Sequence, residues 1–555
     1  LTGIATPAVP PTISALIAAR LQQLPGEERA VIERAAVVGR EFSRGAIREL
    51  APAAAAAHLD RELEGLRRKD FVDAEGAYWI DEPVFAFHNA LIRETAYDFL
   101  LKETRATLHE RYAAWLDARA AELVGETEEL VAFHLEQAYG YRRAMSETGD
   151  AVQRLGDAAA DRLASAGRRA LVRDDFVAAE KLLGRALACA SRPAALVRFD
   201  RCTALLGAGD FPGAREEVAA LERLAAEDPA AAPAADVAAV ATAYLDRGAH
   251  REDLAVLDRA IAASRGAEDV RVLAHALNWK GTFIVLYEGR HAEGQALLEE
   301  SLACARSAGD ERLVADILSL LALVALWGPL PLAEAQDRCE LILARLREHP
   351  GSRKMEAQTQ CVLGLLAAMQ GRVGDSRDQL GQARAAFVEL ALALDVVDSD
   401  LFAARAELLN GDPRAGAAHA RAALAGPGGL GPSAHSVLAQ ALAALGDDEA
   451  TVLADGVLAA IEPSNLRPYV AAAGVRARAH SSAGRHDEAV HAARAVVAAA
   501  AQTDAAVQRA EALELLAETL AAAGDPGADD AWAAALDAYV AKGHTVGADR
   551  VRDRG

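Results

Sequence analysis

The sequence predicts an all-α chain built mainly as a solenoid of helical hairpins. Three observations point there. Turn glycines recur at Gly209, Gly248, Gly289, Gly328, Gly371, Gly411, Gly446, Gly484 and Gly524, with separations of 35–43 residues. A period of about 40 residues marks a stacked repeat, not one large core. The residue five after each glycine is small in most repeats: Ala214, Gly294, Ala333, Ser376, Gly416, Thr451 and Ala489, with Asp253 and Asp529 as exceptions. Small residues belong where two helices cross closely. Composition agrees: 52% of residues are hydrophobic, only 5% are aromatic, and alanine dominates. Alanine is the best helix former and lets helices approach.

Within each repeat, one helix ends at the glycine and a second begins just after it. The residue seven before the glycine is also small at Ala241, Gly364, Ala404, Ala439, Ala477 and Ala517. Turn residues follow, as in Asp210-Phe211-Pro212, Asp412-Pro413 and Asp525-Pro526. Proline at a first helical turn costs no hydrogen bond. A degenerate earlier repeat turns at Arg173-Asp174-Asp175-Phe176. The solenoid is expected over 151–545, followed by a tail over 546–555.

Before it come other elements. Residues 1–10 read as a linker. Helices are expected over Thr12–Leu24 and Glu27–Val38, then from Ser43 as cap to Leu50, then over Ala54–Lys69. Phe71-Val72, Tyr78-Trp79-Ile80 and Val84–Phe87 carry the aromatic and β-branched pattern of strands around a turn at Glu75-Gly76. Helices followed by a hairpin give the order of a winged-helix domain, 11–88. A helical neck, 89–150, follows; its stripes Leu108, Tyr112, Trp115 and Leu116 read as core.

The net charge of −22 disfavours nucleic acid, because no long Lys/Arg run offsets it. Arg67-Arg68-Lys69 would end a recognition helix, but Glu62 and Glu64 share it, so these cations read as complements of the helix dipole. Five cysteines, at 189, 202, 304, 339 and 361, form no CxxC and read as free thiols in a reducing, cytoplasmic compartment. No metal site is expected. The uncharged stretches Ile317–Ala333 and Ala422–Gly446 are broken by Gly and Pro, and read as buried solenoid helices, not membrane spans. Neither GxSxG nor HExxH occurs, acid pairs such as Glu216-Glu217 and Glu299-Glu300 read as solvated faces, and no catalytic residue is assigned. The expected partner is therefore a protein or small-molecule effector. Aromatic and arginine residues are the usual hot spots of such sites, which singles out Trp279, Tyr287, Trp327 and Arg338.

The segments "LLGAGDFPGAREEVAALERL" (205–224) and "AHSSAGRHDEAVHAARAVV" (479–497) resemble the tetratricopeptide repeat, in the longer form found in sensor arms of bacterial signal-transduction ATPases. "VPPTISALIAARLQQLPGEERAVIERAAVVGREF" (9–42) and "FAFHNALIRETAYDFLLKETRATLHERYAAWLD" (85–117) resemble the segments after the ATPase core in bacterial AAA/STAND-type proteins, including adenylate/guanylate cyclase-linked and LuxR-type regulators. That resemblance implies a tetratricopeptide-like regulatory arm, coupled to a nucleotide switch and involved in signal transduction or transcriptional regulation. No GxxxxGK[ST] occurs, so ATP/ADP is expected in a separate N-terminal ATPase module, and this chain is expected to hold no cofactor. His88, in "FHNALIRE", resembles the MHD histidine that reaches an ADP phosphate; the alternative is a histidine capping the helix that begins at Asn89. A stand-alone scaffold and a DNA-binding regulator are the other functions compatible with these residues, and a homo-oligomer is compatible with all three.

Overall fold

A computed structural model describes residues 11–75, 82–119, 127–192, 194–247, 253–266, 270–348, 352–427 and 431–554. The expected linker 1–10, the strand Tyr78–Ile80 and the turn glycine Gly248 lie outside them. Contacts group the chain into two compact units, 1–224 and 225–555.

The first unit opens with α1 (Pro11–Gln22), α2 (Gly26–Val38), β1 (Glu41–Ser43), α3 (Arg44–Leu50), α4 (Ala53–Ala57), α5 (Leu59–Arg68), β2 (Val72–Glu75) and β3 (Val84–Phe87). The strands form an antiparallel sheet in the order β1-β3-β2. Ser43 caps α3 as expected, accepting from the Ala46 N–H. Two expectations need correction. The helix over 54–69 is two helices, broken where His58 leaves helical geometry (φ −124°). β1 was not anticipated, because three residues carry no period; Phe42 sits buried in it and stacks with Phe85. Val31, Ile32, Ile47, Leu63 and Leu66 form the core beneath the sheet.

Next come α6 (Ala90–Asp98), α7 (Lys102–Ala118) and α8 (Thr127–Ala144). The neck aromatics are core, but they hold a polar network. His109 Nδ1 lies 2.7 Å from His134 Nδ1, and both rings are buried. His109 Nε2 meets the Tyr97 hydroxyl at 2.8 Å, which in turn meets Tyr141 at 2.9 Å. Burial pushes His109 down to about 4, with Arg105 adding to it, and His134 down to about 3, with His109 adding to it. One Nδ1 must therefore carry a proton and the other accept it, with both rings neutral. Two helix pairs complete the unit: α9 (Asp150–Val172) with α10 (Phe176–Cys189), and α11 (Ala195–Gly207) with α12 (Phe211–Glu227).

The second unit holds eight further pairs. These are α13 (Ala232–Arg247) with α14 (Asp253–Gly266), α15 (Val270–Tyr287) with α16 (His291–Ser307), α17 (Glu311–Trp327) with α18 (Leu332–Arg347), and α19 (Arg353–Met369) with α20 (Val373–Glu389). Then follow α21 (Ala393–Leu409) with α22 (Pro413–Ala425), α23 (Gly431–Leu445) with α24 (Glu449–Ala460), α25 (Leu466–Ser482) with α26 (His486–Ala501), and α27 (Ala506–Ala523) with α28 (Ala528–Lys542). Residues 546–554, expected as a tail, mostly belong to a last helix, α29 (Thr545–Arg552). Left-handed Gly543 ends α28, and the His544 imidazole caps α29 by accepting from the Gly547 N–H.

Most of the described repeat turns share one backbone geometry. Gly371 and Gly484 take φ +75°, and the next residue's N–H reaches back to Ala367 O and His480 O, closing a Schellman motif. Where aspartate follows the glycine it caps the next helix, as Asp412 does for the Ala415 N–H, whereas Arg372 and Arg485 hold that place without a side-chain cap. In the degenerate first repeat Asp174 takes the left-handed position (φ 56°) in glycine's place. Crossing residues Ala214, Ser376 and Ala489 are wholly buried, as are Ala404, Ala439, Ala477 and Ala517. Gly364 leaves no room for more: a Cβ there would stand 2.7 Å from Leu380 Cγ. The spacing fails at four described repeats. Asp253 and Asp529 are not buried crossing residues, and Ala528 takes the place beside Asp529. Ala450, not Thr451, is buried in its repeat. In the fourth, Ala333 is exposed and Ala335 is buried, because Gly328 is not left-handed (φ −74°) and Pro329 and Pro331 lengthen the turn. Among the described residues, no helix is long and apolar enough to cross a membrane.

Two outcomes follow. Ala489→Leu should overpack the α25–α26 crossing and lower stability by roughly 1–3 kcal/mol in chemical denaturation; an unchanged midpoint would place the crossing elsewhere. The neutral histidine pair should make stability fall with acid. The unfolded rings titrate near 6.5 and the folded ones lower, so the unfolded state binds more protons below about 6.5. Thermal melts should lose stability from about pH 6.5 toward pH 4, and the double variant His109→Gln/His134→Phe should show a shallower slope over that window.

Candidate functional site

The site begins with how the second unit closes. The turn after α17 is not a Schellman motif, so the last carbonyls of α17 are left without that partner. The Lys542 ammonium, from the end of α28, takes their place. It donates to Ala325 O (3.2 Å), Gly328 O (2.7 Å) and Leu330 O (2.6 Å), more than two hundred residues away in sequence. Lys542 is 1% exposed, and burial lowers its pKa to about 8, so it remains charged at neutral pH. A second cap works with opposite sign at the start of α16. The Asp504 carboxylate accepts from the N–H groups of His291 (2.6 Å) and Ala292 (2.7 Å). Burial alone would raise Asp504, but the bonds from the His291 ring and these amides hold it below its ordinary value. Thr545 adds a third contact, donating to Met369 O at 3.3 Å. Cation at a helix C-terminus and anion at an N-terminus both match the helix dipole.

Inside the closed unit is a cavity of about 730 Å3. Its wall comes from the first helix of successive pairs: Trp327 on α17, Leu365 on α19, Arg405 on α21, Gln440 on α23, Arg467 and Arg478 on α25, Gln508 and Glu511 on α27, with Arg550 from α29. Part of this wall is in balance. Arg550 forms a two-pronged pair with Glu514, to which the buried Tyr539 hydroxyl also donates at 2.7 Å. Arg478 pairs with Glu518 at 2.6 Å.

The rest is not in balance. Arg405 and Arg467 both lie over the Trp327 ring, their guanidinium carbons 5.8 Å and 5.1 Å from its centre. Among the described residues no hydrogen bond or ion pair joins either guanidinium, whose contact is with the Trp327 ring. Burial lowers Arg405 to about 10, and Arg467 beside it lowers it further; burial also lowers Arg467. Both remain charged at neutral pH. Burial pushes Glu511 up to about 7, against Arg550, and raises Asp398 as well. Trp327 Nε1 and Gln508 Oε1 are buried without any partner, in residues only 4% and 3% exposed. A buried donor and a buried acceptor without partners among the described residues are each costly.

The singled-out residues distribute unevenly. Trp327 forms the cavity wall. Trp279 and Tyr287 join Tyr244 and Phe283 in one aromatic cluster, with Tyr244 and Trp279 5.3 Å apart, and Tyr287 and Tyr244 adjoin Arg467. Arg338 is apart, paired with Glu299 at 2.9 Å. His88 lies in the first unit, half exposed, its Nδ1 2.8 Å from the Asp73 carboxylate. It caps nothing: Asn89 caps α6, accepting from the Leu91 N–H at 2.8 Å. Arg405, Arg467, Gln508, Glu511 and Lys542 were not foreseen. A signal existed for the first. Arg405, Gln440 and Arg478 each stand six residues before their turn glycine, a repeat position facing the cavity.

No family model matches the chain, and no curated protein matches it in sequence. Among solved structures it is similar to a Signal Transduction ATPase with Numerous Domains from Pyrococcus horikoshii that carries a tetratricopeptide repeat sensor. Identity is 14% and the TM-score 0.39, over 74% of this chain and 64% of that one. It is also similar to yeast Tom70 (12%, TM-score 0.34, 82% and 97%) and to the Cut9–Hcn1 hetero-tetramer of the APC/C (12%, TM-score 0.36, 83% and 91%). The chain thus spans 64% of the archaeal protein's length. These superpositions are loose. The tetratricopeptide-like solenoid class rests on this chain's own helix pairs, turn glycines and buried crossing residues.

The closure can be tested directly. Lys542→Met should speed hydrogen exchange of α28 and α29 by roughly 10–100-fold, the loss of a charged hydrogen-bond set worth about 1.5–3 kcal/mol. Exchange unchanged in those helices would show that Lys542 does not hold the closure.

Proposed function

We propose that this chain is a non-catalytic regulatory arm of a STAND-type signalling ATPase. An effector enters the cavity of the second unit, and its binding is coupled to a nucleotide switch in a separate module. The observation that carries this reading is the cavity wall. Folding has left two guanidiniums without an ion pair among the described residues, beside a space of ligand size. Small-molecule sites run from roughly 300 to 1,000 Å3. A ligand shifts a switch only if it binds its two states unequally. A unit closed by contacts between distant helices offers such a difference, because opening it takes the walls apart.

On this proposal residues 11–88 are a winged-helix module and α6–α8 its neck. The element order and the β1-β3-β2 sheet support it. Use of α5 on DNA has less support, because the basic residues around it are matched by acids. Arg67 pairs with Glu64, Lys69 with Glu28, and Arg44 with Asp60. His88, at the end of β3, is the proposed nucleotide contact. With Nδ1–H given to Asp73, its Nε2 can donate to a phosphate only as the imidazolium.

Two tests address the two ends. In the full-length protein, Gly474→Phe on the α25 wall should fill the cavity and abolish the effector response while the fold persists; an unchanged response would remove the cavity from the mechanism. His88→Ala in the same protein should raise the ADP off-rate roughly 10–100-fold, the value of one charged hydrogen bond. Equal off-rates would leave His88 as a partner of Asp73 only.

A further inference from the structure

We propose that the cavity binds a small organic anion, its carboxylate or phosphate held between Arg405 and Arg467 against Trp327. This rests on the cavity being the effector site and specifies the chemistry of its ligand.

The case starts from charge. Two guanidiniums share one indole face and repel each other, in a place where protein surrounds them. Cation–π contact with one ring offsets only part of the lost hydration. Among the described residues no carboxylate pairs with either one. The nearest acids do not remedy this. Asp398 acts on both guanidiniums, and Glu511 on Arg405, through space without forming a pair. Glu511 titrates at about 7, so at neutral pH it is substantially protonated, whereas the two arginines are not neutralised. The other cations on the wall are committed: Arg550 to Glu514, and Arg478 and Arg554 to Glu518. The two unpaired guanidiniums thus make a local positive patch on Trp327, opposed only through space by Asp398 and Glu511, within a chain whose net charge is −22.

Geometry narrows the ligand. Guanidinium forks suit planar or tetrahedral oxyanions and bind them through paired N–H groups. Leu365, Met369 and Leu408 provide an apolar wall for the ligand's carbon skeleton. Two chemistries share the anionic group, a carboxylate and a phosphate monoester.

The experiment is calorimetry on the whole chain with three probes of one skeleton: 1-naphthoate, 1-naphthyl phosphate and the neutral 1-naphthamide. At least one anion should bind, and the amide at least about tenfold more weakly. The tighter anion identifies the headgroup. Arg405→Gln and Arg467→Gln should each weaken anion binding by roughly 10–100-fold and leave the amide unchanged. Arg338→Gln, which alters a guanidinium away from the cavity, should change nothing. Without ligand, the two Gln variants should melt no lower than wild type, since each removes an unpaired, partly exposed cation from beside another; a clear fall in Tm would make these arginines structural and overturn the proposal. Equal binding of amide and anions, undiminished binding by the Gln variants, or no binding of any probe would also overturn it. In those cases a lost effector response in Gly474→Phe would still uphold the cavity as the effector site, whereas an intact response would remove that reading too.

Discussion

Closure of the second unit depends on helix ends being capped from the far side of the sequence. A helical-hairpin solenoid has no intrinsic reason to close, since each pair packs only on its neighbours. Here the irregular turn at Gly328-Pro329-Leu330-Pro331 leaves carbonyls that the local chain does not satisfy, and Lys542 satisfies them. Asp504 does the reciprocal service for the α16 amides. A buried ammonium and a partly exposed carboxylate each meet several partners at a helix end of opposite sign, which offsets their lost hydration. The two caps fix which first helices face one another, and so create the cavity.

That enclosure explains the electrostatics inside it. The same arginine on an open solenoid face would be hydrated and unremarkable. Arg405 and Arg467 instead stand beside each other and over one indole, and burial lowers both of their pKa values. Glu511 is raised for the same reason, while Glu514, two-pronged with Arg550, is held below its ordinary value although burial opposes it. Part of the wall is thus settled by internal pairs, and Arg405 and Arg467 are left without one among the described residues. Sites that bind often carry such unpaid local instability, which a more stable sequence would remove.

The first unit applies the opposite solution to buried polar groups. Its neck draws His109, His134, Tyr97 and Tyr141 into a chain of mutual hydrogen bonds, leaving His134 Nε2 as the open end. The rings stay neutral and serve packing: Tyr112 meets His134 edge-on at 4.6 Å. His88, by contrast, is exposed and holds only Asp73, which leaves it accessible to a second partner.

Much of the fold was legible in the sequence, because its cause is local. Left-handed glycine and a small crossing residue recur at fixed offsets, joined in some repeats by an aspartate cap, and each acts within its own hairpin. Trp327 stood out for its type alone. What the period could not deliver were β1, the break at His58, the slips at Ala335 and Ala450, and α29, each decided by packing or by one irregular turn. The cavity itself was further out of reach. Arg405, Arg467 and Gln508 belong to three different repeats, and Lys542 caps a helix more than two hundred residues before it. The sequence determined the hairpins; only tertiary structure decided which hairpins meet, because a repeat specifies its neighbour's contact and closure depends on the curvature summed over all of them.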